Sequence, residues 1–126
     1  LQSYVFVALG GAIGSMLRLG TARLAQVLFG AGFPAGTLAV NLVGSAVMGL
    51  LAALLAERSG DDPLRLFLMT GILGGFTTFS AFSLDAYSLW ARGEGLVAVT
   101  YVAVSVVVAL AGLVAGLMLG RHVMGA

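Results

Sequence analysis

Gly74, Gly75, Phe76, Thr77, Thr78, Phe79, Ser80, Ala81, Phe82 and Ser83 run consecutively through the middle of an apolar stretch long enough to cross a bilayer. The paired glycines loosen the backbone, and the residues after them line it with hydroxyls and aromatic rings. In hydrocarbon, non-helical backbone is tolerated only where protein buries it or where it lines a wet cavity. The run therefore predicts a membrane helix broken near its middle, at an ion or substrate site. Such a break ends one half-helix, about residues 64–73, in free carbonyls and starts another, about residues 78–90, with free N–H groups. Carbonyls attract cations, and helix N-termini attract anions. The competing reading is a glycine kink whose hydroxyls bond back to the preceding turn, but hydroxyls cluster here beyond what a kink requires.

Other residues fit the same chemistry. Phe79 and Phe82 are three apart and share a helix face. Their ring edges are positive, so edges turned into a pore stabilise a small anion; turned into a core, the pair is simply packing. Asn41 lies within the second apolar stretch, where its amide either donates to an anion or makes an interhelical hydrogen bond. Tyr101 and Ser105, four apart with Thr100 beside them, form either a ladder of donors or, for Tyr101, an aromatic anchor at the membrane interface. Arg18 either draws anions to a vestibule or snorkels to the interface. Asp85 is expected to pair with Arg18 or another arginine. The chain holds one histidine, His122 near its end, and no cysteine, which excludes disulfides and thiolate metal sites. No phosphate-binding loop, metal cluster or nucleophile–base pair is present, so an enzyme is not expected, and neither is a nucleic-acid partner.

The elements that must position these groups follow from composition. The 126 residues are 60% hydrophobic and 9% charged, unlike a soluble domain. Apolar stretches at about residues 4–25, 36–56, 64–90 and 96–119 read as four transmembrane helices of a single membrane domain, residues 1–126. The first stretch lacks the charged start and cleavage site of a signal peptide, although the chain begins at Leu1. Arg58, Arg65 and Arg121 fall on one side of the membrane, and Arg18, Arg23 and Arg92 on the other. Orientation follows the Lys/Arg difference between sides, so a balance of three against three gives almost no instruction for insertion. A mixture of orientations permits an antiparallel homodimer. Four spans are too few to enclose a wide aqueous path, so transport needs a partner subunit.

Small residues recur every fourth position: Gly10 and Gly14, Ser45 and Gly49, and Gly112, Gly116 and Gly120. That spacing lets helix backbones approach closely, and packing within one subunit is its preferred explanation. In the 59–63 connector, Asp61 or Asp62 can cap the third helix, and Pro63 suits its first turn.

Three stretches, 10–18, 36–44 and 71–83, resemble in order the signature stretches of the Fluc/CrcB fluoride channels, the third very specifically. The resemblance implies an all-α membrane protein of four helices with the third broken, forming an antiparallel dual-topology homodimer in the cell's inner membrane. It implies two pores passing fluoride passively out of the cytoplasm, where HF that has entered as a neutral acid ionises. A structural sodium ion on the two-fold axis is implied too, held by backbone carbonyls that map to Gly74 and Thr77. The implied fluoride path comprises Asn41, Phe79, Ser80, Phe82, Tyr101 and Ser105, with Arg18 in a vestibule. Where the family often places another hydroxyl one turn after Ser105, this chain has Ala109. The alternatives are a small dual-topology, proton-coupled exporter of cations or drugs, and a purely structural scaffold. The exporter needs a membrane-embedded carboxylate, for which Asp85 is the only candidate.

Overall fold

The computed structural model describes residues 1–125, which are helical with short connections. Helix α1 (Gln2–Phe29) has 28 residues and stops where Gly30 turns to φ +78°, a left-handed conformation suited to glycine. Helix α2 (Ala35–Leu54) has 20 residues, or about 30 Å of helix, which matches a hydrocarbon core. The third span comprises α3 (Pro63–Arg65), a π-helix (Leu66–Leu73), α4 (Gly74–Phe76) and α5 (Ser80–Ala91). Helix α6 (Gly95–Val123) has 29 residues. All four spans are long and apolar enough to cross a membrane.

Local chemistry sets the starts and stops. Asp62 caps the third span, its carboxylate accepting the N–H groups of Leu64 at 3.1 Å and Arg65 at 3.3 Å. Pro63 occupies the first helical position, where no N–H is needed. Desolvation pushes the Asp62 carboxyl up, but the Arg65 N–H, the Arg58 guanidinium and the Leu64 N–H outweigh it and hold the group below the usual carboxylate range. Between α5 and α6 the chain reverses at Gly93, at φ +83°.

Helix packing depends on missing side chains. A methyl group at Gly49 of α2 would overlap the Leu113 carbonyl of α6, and one at Gly116 would overlap the Ala46 carbonyl of α2. The two backbones touch, so these small residues serve contact within one subunit. Gly112 is looser, with 3.6 Å to the Leu42 carbonyl oxygen. Gly10 and Gly14 of α1 lie in the same way against the backbone of the π-helix. A small core of Phe82, Leu89, Ala98 and Tyr101 joins α5 to α6, with Leu38 of α2 packed on it. Most other large apolar side chains face outward, as a lipid-facing surface requires.

The third span departs from the sequence expectation in two ways. The π-helix at Leu66–Leu73 was not anticipated. Its wider turn carries the Gly74 N–H to the Met69 carbonyl, five residues back. The glycine pair, moreover, is not where the helix breaks. Gly74 stays helical at φ −61° and ψ −37°, and the chain becomes extended only at Thr77, at φ −85° and ψ 160°. Gly75 is small for contact: a Cβ there would lie 2.6 Å from the Gly11 carbonyl oxygen of α1.

Candidate functional site

Residues 77–79 separate the two halves of the third span, and a side chain from another helix satisfies both backbone groups of Thr78. Asn41 of α2 faces Thr78. Its Oδ1 accepts the Thr78 N–H at 2.8 Å, and its Nδ2 donates to the Thr78 carbonyl at 2.9 Å. This two-way pair imitates one rung of an antiparallel ladder. It realises the interhelical bond foreseen for Asn41 while leaving the second N–H of its amide unused. Arg18 of α1 donates Nε to the Gly75 carbonyl at 3.0 Å. Thr78 Oγ1 caps α5 by accepting the Ala81 N–H at 3.1 Å.

These substitutions have a consequence for two carbonyls. In a continuous helix the Thr78 N–H would bond to the Gly74 carbonyl, and the Ala81 N–H to the Thr77 carbonyl. Both donors are engaged elsewhere, by Asn41 and by Thr78 Oγ1. Gly74 and Thr77 therefore carry carbonyl oxygens without their helical partners. Two hydroxyls do bond back to the preceding turn, Thr77 to the Leu73 carbonyl and Ser83 to that of Phe79, both at 2.9 Å.

Beside the break lies a cleft of about 460 Å³. Asn41 and Ser45 form its α2 wall, and Gly74, Thr77 and Thr78 its edge at the break. Phe79 at the end of the break and Phe82 of α5 form another side; α6 contributes Ser105, Val106, Ala109 and Leu110. The two phenylalanine rings are neighbours, 5.7 Å apart and inclined at 47°. Phe82 is buried, whereas Phe79 is 78% exposed. The Ser105 hydroxyl is buried and has no hydrogen-bond partner. An unpaired buried hydroxyl is costly, and this oxygen lacks the partner that such a group ordinarily has.

Tyr101 lies behind the cleft and is 1% exposed, a core residue rather than an interfacial anchor. Its ring packs on Phe82 at 5.3 Å and edge-on to Phe33 at 5.6 Å. Its hydroxyl donates to Asp85 Oδ2 at 3.3 Å. The expected pairing of Asp85 with an arginine is thus not found. The ion pairs among the described residues, Arg58 with Asp62 and Arg92 with Glu94, both lie at helix ends. Ser80 is exposed and outside the cleft wall, its hydroxyl 3.4 Å from that of Thr78. Arg18 lies against the short helix before the break, where it bonds to the Gly75 carbonyl.

Sequence reasoning missed a second chamber of about 470 Å³ at the loop end. Arg23 and Gln26 of α1, the 30–34 loop, the start of α2, Asp85 and Ser88 of α5, and Arg92 just beyond it line the chamber. Arg92 ties two loops together there, bonding to Glu94 and to the Gly32 carbonyl at 2.6 Å. Phe82 of the cleft and Asp85 of the chamber are three residues apart on α5, so neighbouring turns of one helix border both spaces. The three-residue spacing of Phe79 and Phe82 was visible in the sequence; the loop that lines the chamber was not.

Comparison with known proteins agrees with this architecture. Residues 5–117 match the family described as CrcB-like protein, Camphor Resistance (CrcB). The chain is 57% identical over 120 residues to a protein named fluoride-specific ion channel FluC from Paracoccus denitrificans (strain Pd 1222), covering 95% of each. It is 54% identical over 122 residues to the FluC of Rhizobium etli (strain CIAT 652), covering 96% of this chain and 97% of that one. It is 50% identical over 122 residues to FluC 2 of Nitrobacter hamburgensis (strain DSM 10229 / NCIMB 13809 / X14), covering 96% of this chain and 98% of that one. With four apolar spans, a broken third helix and this match along nearly its whole length, the chain belongs to the CrcB family of membrane proteins.

Proposed function

We propose that this chain is a fluoride-selective ion channel of the inner membrane, not an enzyme, and that it lets fluoride leave the cytoplasm down its electrochemical gradient. The observation that carries the reading is the Ser105 hydroxyl, buried and unpartnered in a cleft walled by Phe79 and Phe82. Fluoride is small and strongly hydrated. A pore must replace its water with donors and ring edges, yet hold it weakly enough to let it go. Ser105 offers such a donor, the spare N–H of Asn41 a second, and the two phenylalanines offer edges. The names of the relatives point to the same ion.

The functional unit is an antiparallel homodimer with two pores. Balanced arginines favour mixed insertion, and the highly exposed Phe79 beside the cleft leaves an aromatic face for a second copy to cover. The Gly74 and Thr77 carbonyls, deprived of helical donors, fit a sodium ion: hard cations take oxygen ligands, and these two oxygens are otherwise unpaid for in hydrogen bonds. When bound, such an ion offsets part of the cost of an anion in low dielectric. The chain's own residues shape the site: Asn41 and Thr78 take the competing N–H groups, and Arg18 holds the neighbouring Gly75 carbonyl.

The test is efflux from liposomes carrying the purified protein, with a fluoride electrode, a potassium ionophore, and chloride as comparison. Fast fluoride loss with negligible chloride loss is expected. Folded, dimeric protein that moves neither ion would defeat the reading. Uptake of a cation driven by a pH gradient would instead establish an exporter.

A further inference from the structure

The polar groups of the cleft differ in how far they are already engaged. Thr77 Oγ1 donates to Leu73, Thr78 Oγ1 accepts from Ala81, and both functions of the Asn41 amide are turned to Thr78. Among the described residues, the Ser105 hydroxyl of the cleft is buried without a partner, and that of Ser45, half-buried on the opposite wall, takes part in none of the hydrogen bonds above. Ser45 follows Asn41 by four residues, one helical turn along the same face of α2. Serines in membrane helices commonly bond back to the carbonyl four residues earlier, as Ser83 does with Phe79. Ser45 does not close that bond and stands on the cleft wall instead. Beyond Ser105, the facing wall of α6 consists of Val106, Ala109 and Leu110, which present only carbon.

We infer that Ser45 is a fluoride-contacting residue, donating its hydroxyl to the anion in the part of the cleft where α6 offers no donor. The inference rests on the channel reading above. In that path, an anion passing Ser105 meets aliphatic side chains on one side and the Ser45 hydroxyl on the other. A partly dehydrated fluoride needs a donor at each step, and Ser45 supplies it from α2. A purely structural role competes with this, because Ser45 and Gly49 also have the spacing of a helix contact.

The experiment separates the two. Ser45→Ala keeps the small volume and removes only the oxygen, so packing is preserved. In fluoride efflux from liposomes, this variant is expected to lose about tenfold in flux, the order of one hydrogen bond to an anion, with an unchanged melting temperature in detergent. Adding Ala109→Ser to Ser45→Ala puts a hydroxyl on the opposite wall and is expected to restore most of the flux, which a packing role would not allow. Flux equal to the parent's, or a loss that Ala109→Ser leaves unrepaired, overturns the assignment. A parent chain that conducts no fluoride defeats the channel reading itself and is recognised as such before any variant is compared.

Discussion

Asn41 carries two tasks that conflict in most substitutions. It closes two hydrogen bonds to a broken backbone, and it lines the cleft. Asn41→Asp keeps an acceptor for the Thr78 N–H but sets a second oxygen against the Thr78 carbonyl and adds negative charge to the proposed anion path. Stability should fall by roughly 1–3 kcal/mol, the cost of an unsatisfied polar contact, and fluoride flux should fall with it; unaltered melting and flux would remove Asn41 from both tasks. Phe82 is different, because it makes no polar bond. Phe82→Ile keeps an apolar filling but removes the ring that contacts Phe79 and Tyr101. Flux should drop roughly tenfold, the upper range for one aromatic contact, while the protein still purifies folded. Unchanged selectivity and rate would show the ring to be packing alone.

At the level of helices, contact distance decides which glycines matter. Gly116→Ala forces α6 off the Ala46 carbonyl and should cost about 1–3 kcal/mol, as overpacking does. Gly112→Ala meets only ordinary contact, with 3.6 Å to Leu42, and should stay within about 0.5 kcal/mol of the parent. Thermal unfolding in detergent ranks the two; equal effects would mean that the α2–α6 approach is looser than described. The start of the third span is sensitive to pH through Asp62. Its carboxyl is held below the ordinary range in the folded state, so its contribution is full above the unfolded pKa of about 3.9 and is lost as pH falls through the lower folded value. The protection of the Leu64 and Arg65 amides against hydrogen exchange, relative to the free-chain rate at the same pH, should therefore fall below about pH 4, and Asp62→Ala should abolish that dependence on pH.

For the molecule as a whole, the balance of arginines and the unpartnered carbonyls of Gly74 and Thr77 point to the proposed antiparallel pair with a central cation. Purification with a large organic cation in place of sodium should inactivate fluoride flux, and returning sodium should restore it. Full activity without sodium would dismiss the ion. Insertion in both orientations predicts that a single cysteine in the 30–34 loop is labelled from either side of the membrane in comparable amounts. Adding two arginines to that loop should bias labelling to one side, because orientation responds to the Lys/Arg difference. Labelling from one side only, in the parent chain, would exclude the antiparallel pair.

Much of this protein is local, and what is local is legible in the sequence. Four apolar stretches of membrane length, Asp62 and Pro63 at a helix start, and the four-residue glycine spacing each depend on near neighbours or on one helix face. The hydroxyl cluster at 77–83 likewise announced a break in the third span, because membrane backbone cannot open without a reason. What remained hidden depends on partners far apart in the chain. Asn41 meets Thr78 across 37 residues, Arg18 meets Gly75 across 57, and Tyr101 rather than an arginine takes Asp85. Composition permits many such pairings, and only helix packing selects one. The π-helix and the helical state of Gly74 and Gly75 were decided in the same way. A glycine serves equally to bend a backbone or to admit another, and the close approach of α1 is what settled which of the two Gly75 does.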